Sequence, residues 1–188
     1  MILETIISTI SEKKILNISP FGIKKIEEYL LISPYLPSTT HNNLLSNKCA
    51  SISYTDNANI FVECILKKTE KLKITKCSFI DSFFLSDSLK HEEVKVVKYL
   101  KDEVRPTFKC KIIHSEKHGS FIGINRARNA IIEACILATR TKFLPKKKIL
   151  NELDYLENAL YKTSGKEEEI SWRNLRIFIE KNIRKDEK

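Results

Sequence analysis

The stretch ILETIISTISEKKILNISPFGIKKI, residues 2–26, decides how the chain is read. Ile2 to Ile10 mixes isoleucines with Thr5, Ser8 and Thr9, the composition of a strand that can be buried on both faces. Ser11-Glu12-Lys13-Lys14 is a polar turn, and Ile15 to Ile18 resumes as a short strand, so the segment predicts a hairpin. Ser19-Pro20-Phe21-Gly22 is expected to break it, because proline cannot donate to a ladder and glycine permits unusual dihedrals. Ile23 to Ile26 and Tyr29 to Ser33 are further strand candidates.

Beyond this opening the pattern changes. Ser38-Thr39-Thr40 precedes His41-Asn42-Asn43-Leu44-Leu45, and the hydroxyls are natural caps for a short helix. Ala50 to Tyr54 reads as a strand. Thr55 or Asp56 is placed to cap a helix with Ile60, Phe61, Cys64 and Ile65 on one face. Val94 to Leu100 and Phe108 to Ile113 read as strands around an Arg105-Pro106 turn; in the second, Phe108, Cys110 and Ile112 alternate with Lys109 and Lys111. From Asn125 the spacing is helical. Ala127, Ala130, Ala134 and Ala138 form a narrow small-residue stripe that permits close packing. Lys146 to Leu160 and Ser171 to Ile183 supply two more apolar helix faces. The expectation is a β-rich body of roughly 120 residues followed by three helices.

Composition narrows the classes. The chain has 188 residues, with 33 Lys+Arg against 24 Asp+Glu, a net charge of +9. Residues 1–100 carry 13 Lys against 11 acids, and residues 101–188 carry 20 basic against 13 acidic residues, so the basic excess lies in the helical part. With 42% hydrophobic and 30% charged residues, the composition excludes a disordered chain. No apolar run approaches the roughly 20 residues of a membrane helix. Met1-Ile2-Leu3-Glu4 shows no basic segment or cleavage site, so a cytoplasmic protein is the expectation. Five cysteines without a Cys-x-x-Cys pair read as reduced, buried thiols.

Several motifs carry possible chemistry, each beside a plainer reading. Asn17-Ile18-Ser19-Pro20-Phe21-Gly22 would let a planar or anionic ligand approach the main chain; the plainer reading is a tight connection. Ser38-Thr39-Thr40 with Asn42 and Asn43 marks a helix N-terminus able to take a phosphate, or merely a capped helix. Asn125-Arg126-Ala127-Arg128 could clamp an anion or form a structural Glu–Arg network with Glu133 and Arg140. Cys110, His114 and His118 are four apart, but the two-residue period at Cys110 splits them as metal ligands, so no metal is expected. His41 and His91 stand alone and read as surface or capping residues. Lys146-Lys147-Lys148 and Arg184-Lys185 lack interleaved aromatics, so a solvated face is favoured over a nucleic-acid contact.

Together, Glu4 to Thr9, Asn17 to Ile23, Ser38-Thr39-Thr40 through Leu44, Thr55-Asp56 with Phe61 to Cys64, and Asn125 to Arg140 resemble the domain-of-unknown-function 447 family. That family is a branch of the flavin reductase-like FMN-binding split barrels, found in organisms with tetrahydromethanopterin-linked one-carbon chemistry. The resemblance implies an α+β, mainly β fold: a six-stranded antiparallel FMN-binding split barrel over residues 1–122, then a C-terminal helical extension, 123–188, packed on it. It implies a homodimer holding FMN, with Asn17, Ser19, Pro20, Phe21 and Gly22 along the isoalloxazine ring. Ser38, Thr39, Thr40 and Asn43 would receive the phosphate, Thr40 and Asn43 foremost, and Arg126 is a further cofactor-binding candidate. Two positions depart from the family pattern: Lys13-Lys14 replaces a glycine-containing turn, and Phe21 stands where methionine is common. The implied function is an FMN-dependent, reductase-like oxidoreductase serving a small-molecule electron donor or acceptor. The alternatives are a non-enzymatic flavin- or pterin-binding module and, ranked last, a nucleic-acid binder.

Overall fold

The computed structural model describes residues 1–183, and the Arg184-Lys185 charge run lies outside them. Two compact units are present: residues 1–56 with 72–121, and residues 57–71 with the described residues from 122 onward.

The first unit is an antiparallel barrel. Its elements are β1 (Ile2–Ile10), β2 (Leu16–Ile26), β3 (Tyr29–Ile32), α1 (Thr39–Asn47), β4 (Cys49–Tyr54), β5 (Ile74–Lys76), β6 (Phe83–Leu85), β7 (Lys90–Leu100) and β8 (Thr107–Lys117). Six strands close in the order β1-β2-β3-β8-β7-β4, while β5 and β6 form a separate two-stranded sheet. The interior is filled by Ile7, Ile23, Leu30, Ile52, Val94 and Phe108, with α1 contributing Leu44. As the isoleucine-and-hydroxyl pattern predicts, β1 is buried on both faces from Thr5 to Ile10.

The expected break at Ser19–Gly22 does not occur. β2 runs unbroken through Pro20, paired with β1 from Ile10↔Leu16 to Ile2↔Lys24. Proline is tolerated because β3 pairs only with Lys24–Ile26, so from Leu16 to Ile23 the strand has a ladder partner on one side only. The hairpin turn holds Lys14 at φ 63, the left-handed region that favours glycine. β7 begins at Lys90, four residues before the expected Val94, because His91, Glu92 and Glu93 are buried polar residues.

The second unit is helical: α2 (Ala58–Ile65), α3 (Arg126–Thr139), α4 (Lys146–Thr163) and α5 (Lys166–Asn182). The stripe Ala127, Ala130, Ala134, Ala138 is buried throughout. It makes α3 the element against which the other three helices pack, since side chains no larger than alanine let helix axes approach closely. Asn57, not Thr55 or Asp56, caps α2, its side chain accepting from Asn59 N at 3.0 Å. α5 starts five residues before Ser171, with Glu168 accepting from Gly165 N at 3.1 Å. The segment 57–71 therefore belongs with the helices.

Candidate functional site

The site predicted from the sequence lies where β2 meets α1. Ser38 caps α1, its hydroxyl accepting from His41 N at 3.3 Å, and the first turn contains no acidic residue. The leading N–H groups of a helix have no intrahelical acceptor, and the macrodipole adds partial positive charge there, so this end favours an anion. Asn17 Nδ2 donates to Thr40 Oγ1 at 3.0 Å, and Asn43 Nδ2 donates to Thr9 Oγ1 at 3.0 Å. Thr9 and Asn17 face each other across β1 and β2. These four side chains fasten the start of α1 to the barrel rim.

The geometry sorts the candidate residues. Thr40 and Asn43 are buried and engaged with barrel partners, so their side chains hold the turn rather than offer a free surface. Thr39 is exposed and Ser38 half-buried. On β2, Asn17, Ser19, Pro20, Phe21 and Gly22 are all half-buried. Phe21 packs on the barrel core, and strand alternation puts Asn17 and Ser19 on the same inward side. Pro20 and Gly22 then face outward. A Cβ on Gly22 would sit 3.0 Å from Ile2 Cγ2 and 3.3 Å from Glu4 Oε1, so the glycine makes room for these two side chains of β1, which lean across it. Gly22 borders a cleft of about 280 Å³ that also exposes Lys24, Ser33 and Arg105. That volume is below the roughly 300–1,000 Å³ of a whole small-molecule pocket, so the cleft holds part of a cofactor at most. Arg126 lies in the helical unit, exposed beside Asn125, whose side chain caps α3 by accepting from Arg128 N at 3.1 Å. A larger groove in that unit, about 600 Å³, is lined by Trp172 and Arg176. Arg176 is already paired with Asp154, Glu157 and Glu180, which leaves its charge committed.

Two polar clusters escape the sequence reading. Glu92 is buried and accepts from Tyr54 OH at 2.6 Å, Lys90 Nζ at 2.6 Å and Lys25 Nζ at 2.9 Å. Burial opposes its ionisation, but the hydrogen bonds from Lys90, Tyr54 and Lys25 outweigh that and hold its pKa below the ordinary carboxylate value. The histidines also differ from expectation. His41 is buried, with Nε2 3.2 Å from the Tyr99 hydroxyl and its ring edge-on to Phe108. His91 is buried too, and it lies beside His114, His118 and Glu93 rather than alone. Cys110 is not part of that group: it points into the barrel core, where burial pushes its thiol up to about 12. The linking signal is the β7–β8 register, which sequence spacing does not reveal.

A six-stranded antiparallel barrel with α1 against its rim is the architecture of the flavin reductase-like split barrels. Residues 3–119 match the family description "Protein of unknown function (DUF447) N-terminal domain", and residues 125–177 match "Protein of unknown function (DUF447)". The chain belongs to that family. Its fold is similar to that of an FMN-bound protein of the same family from Methanosarcina mazei, with TM-score 0.79, 18% identity, and 94% of each chain covered. It also resembles the 2-nitrobenzoate 2-nitroreductase of Pseudomonas fluorescens, with TM-score 0.54, 12% identity, 61% of this chain and 64% of that one. An FMN-binding protein from Thermus thermophilus with bound 1-cyclohex-2-enone matches at TM-score 0.53, 10% identity, 61% of this chain and 70% of that one. No curated protein matches the chain.

Proposed function

We propose that this protein binds FMN at the junction of β2 and α1 and acts as a reductase-type flavoprotein. The observation that carries the reading is the open edge of β2 from Leu16 to Ile23, tied by Asn17 and Thr40 to a helix N-terminus without acidic residues. An open strand edge offers main-chain donors and acceptors to the polar rim of a flavin ring. The N-terminus of α1 offers N–H groups and dipole to its phosphate. The FMN carried by the Methanosarcina mazei protein of this fold supports the reading.

In this arrangement Thr39 and Ser38 face the phosphate, while Thr40 and Asn43 position the turn that presents it. Pro20 and Gly22 lie on the β2 segment proposed to run along the ring, and Lys24 and Arg105 add positive charge at the cleft that Gly22 borders. Bound FMN would supply hydride or electron transfer, and the chain's own residues would orient it and limit water at the site. The protein's partners would be a small-molecule donor or acceptor and a second copy of the chain. Exposed Val97, Leu100 and Val104 supply apolar area on the barrel for that second copy. The family resemblance adds a tetrahydromethanopterin-linked setting, which a reduced pterin tested as electron donor would probe.

The experiment is a fluorescence titration with FMN and, in parallel, riboflavin. Saturable quenching of FMN, with riboflavin at least tenfold weaker, supports a phosphate-reading site. Equal or absent binding of the two contradicts it.

A further inference from the structure

We propose that His91, Glu93 and His114 form a binding site for a divalent first-row transition-metal ion of the zinc class, separate from the proposed flavin site. The three residues lie on β7 and β8. Glu93 pairs directly with His114 across the two strands, and His91 lies two residues away on the same face of β7. A bulge follows at Glu93/Val94, a local irregularity of the kind that re-aims side chains. One donor atom from each residue lies within 4.8 Å of the other two.

His91 is 1% exposed, and one buried nitrogen of the group, its Nε2, stands without a hydrogen-bond partner. That nitrogen sits 3.5 Å from Glu93 Oε1. Two donors bound to one zinc at about 2.0–2.1 Å in tetrahedral geometry are separated by about 3.3 Å, so the spacing suits a shared metal. Glu93 is fully buried, its two oxygens accepting from Ser78 N and Phe79 N at 2.8 Å each. Those amides orient the carboxylate but bring no full charge, and a buried carboxylate needs a counter-charge. Among the described residues, no lysine or arginine pairs with it; its ion-pair partner is His91.

The surroundings fit metal ligation. His91 Nδ1 is 2.7 Å from His118 Nε2. With the proton on Nδ1 and donated to His118, the Nε2 lone pair points at the Glu93 carboxylate, an arrangement a cation resolves. A ligating histidine commonly donates its other ring N–H in this way, which fixes its tautomer. Phe84 stacks on His91 with centroids 3.8 Å apart and reaches His118 at 5.0 Å, holding both rings. Phe79 packs on His114 at 4.6 Å. Two imidazoles and one carboxylate match the three-ligand sets of metal sites that keep an open position for water or an anion. The partial exposure of His114 gives an ion a path inward.

The test uses full-length, tag-free protein stripped with a chelator and titrated with Co²⁺, read by its visible d–d bands, and with Zn²⁺ by calorimetry. One ion per chain is expected, with micromolar or tighter affinity. His118→Ala should weaken binding by about 10- to 100-fold, the effect of losing an orienting partner. His114→Ala and Glu93→Gln should weaken it further and abolish the d–d bands. His114 is partly exposed, so its variant keeps the test valid if Glu93→Gln fails to fold by circular dichroism. Millimolar or non-stoichiometric binding by the unmodified protein overturns the proposal. So does binding that survives His114→Ala but is lost in Glu116→Gln, because that places the ion on the other side of the His91 ring.

Discussion

Asn17 on β2 donates to the hydroxyl of Thr40 in the first turn of α1 at 3.0 Å, joining an open strand edge to a helix N-terminus. Each part is ordinary alone. Joined and held by the neighbouring Asn43–Thr9 bond, they form a fixed junction with backbone donors on both sides.

Replacing Asn17 with Ala removes this tie and leaves the buried Thr40 hydroxyl without its donor. The expected loss of stability is about 1–2 kcal/mol, read as a lower urea midpoint at unchanged slope. FMN affinity should fall by about tenfold, equivalent to roughly 1.4 kcal/mol of lost positioning. Unchanged affinity with lowered stability would separate the tie from the ligand site.

Thr39→Asp places a negative charge in the first turn of α1. The apo protein should hold or gain stability by about 0.3–1 kcal/mol, because the charge complements the helix dipole. FMN should bind at least tenfold more weakly through repulsion of its phosphate, while riboflavin should be unaffected. Parallel titrations of the two flavins check this.

The Glu92 cluster predicts an acid-sensitive barrel. Its folded pKa lies below the ordinary glutamate value of about 4.5, so the unfolded chain binds the proton more readily. The stability it contributes is present above pH 4.5 and is lost as the pH falls through the folded value. Glu92→Gln should therefore lower the melting temperature at pH 7 and flatten its dependence below pH 4.5. Melting curves across pH 3–7 for both proteins give the comparison.

In the helical unit, Ala134→Leu overfills the centre of the alanine stripe. Ala134 is fully buried, so the added atoms must displace neighbouring helices. A loss of about 1–3 kcal/mol is expected, whereas Arg126→Ala, at an exposed position of the same helix, should change stability by less than about 0.5 kcal/mol.

Much of this architecture was legible locally. The isoleucine-and-hydroxyl run of β1, the Ser38 cap and the alanine stripe of α3 each follow from residues close in sequence. The continuity of β2 through Pro20 was not, because proline's tolerance depends on which strand edge lacks a neighbour. The early start of β7 was hidden for a similar reason: Glu92 is polar in sequence but is buried by Tyr54 and Lys25, which arrive from other strands, and by Lys90 two residues before it on β7. The three-residue strands β5 and β6 are too short to show a period. In the candidate site, the segments were visible but the direction of their side chains was not, since Thr40 and Asn43 turn toward the barrel. The His91–Glu93–His114 group needs the β7–β8 register, and the spacing of His114 and His118 pointed instead to Cys110, which the core claims.

The most direct test of the flavin reading is the visible absorption spectrum of the purified protein after incubation with FMN and removal of unbound flavin on a desalting column. A retained flavin spectrum near one equivalent per chain, with shifted bands relative to free FMN, is the predicted result. A colourless protein from which all added FMN separates would contradict a flavin site at the β2–α1 junction.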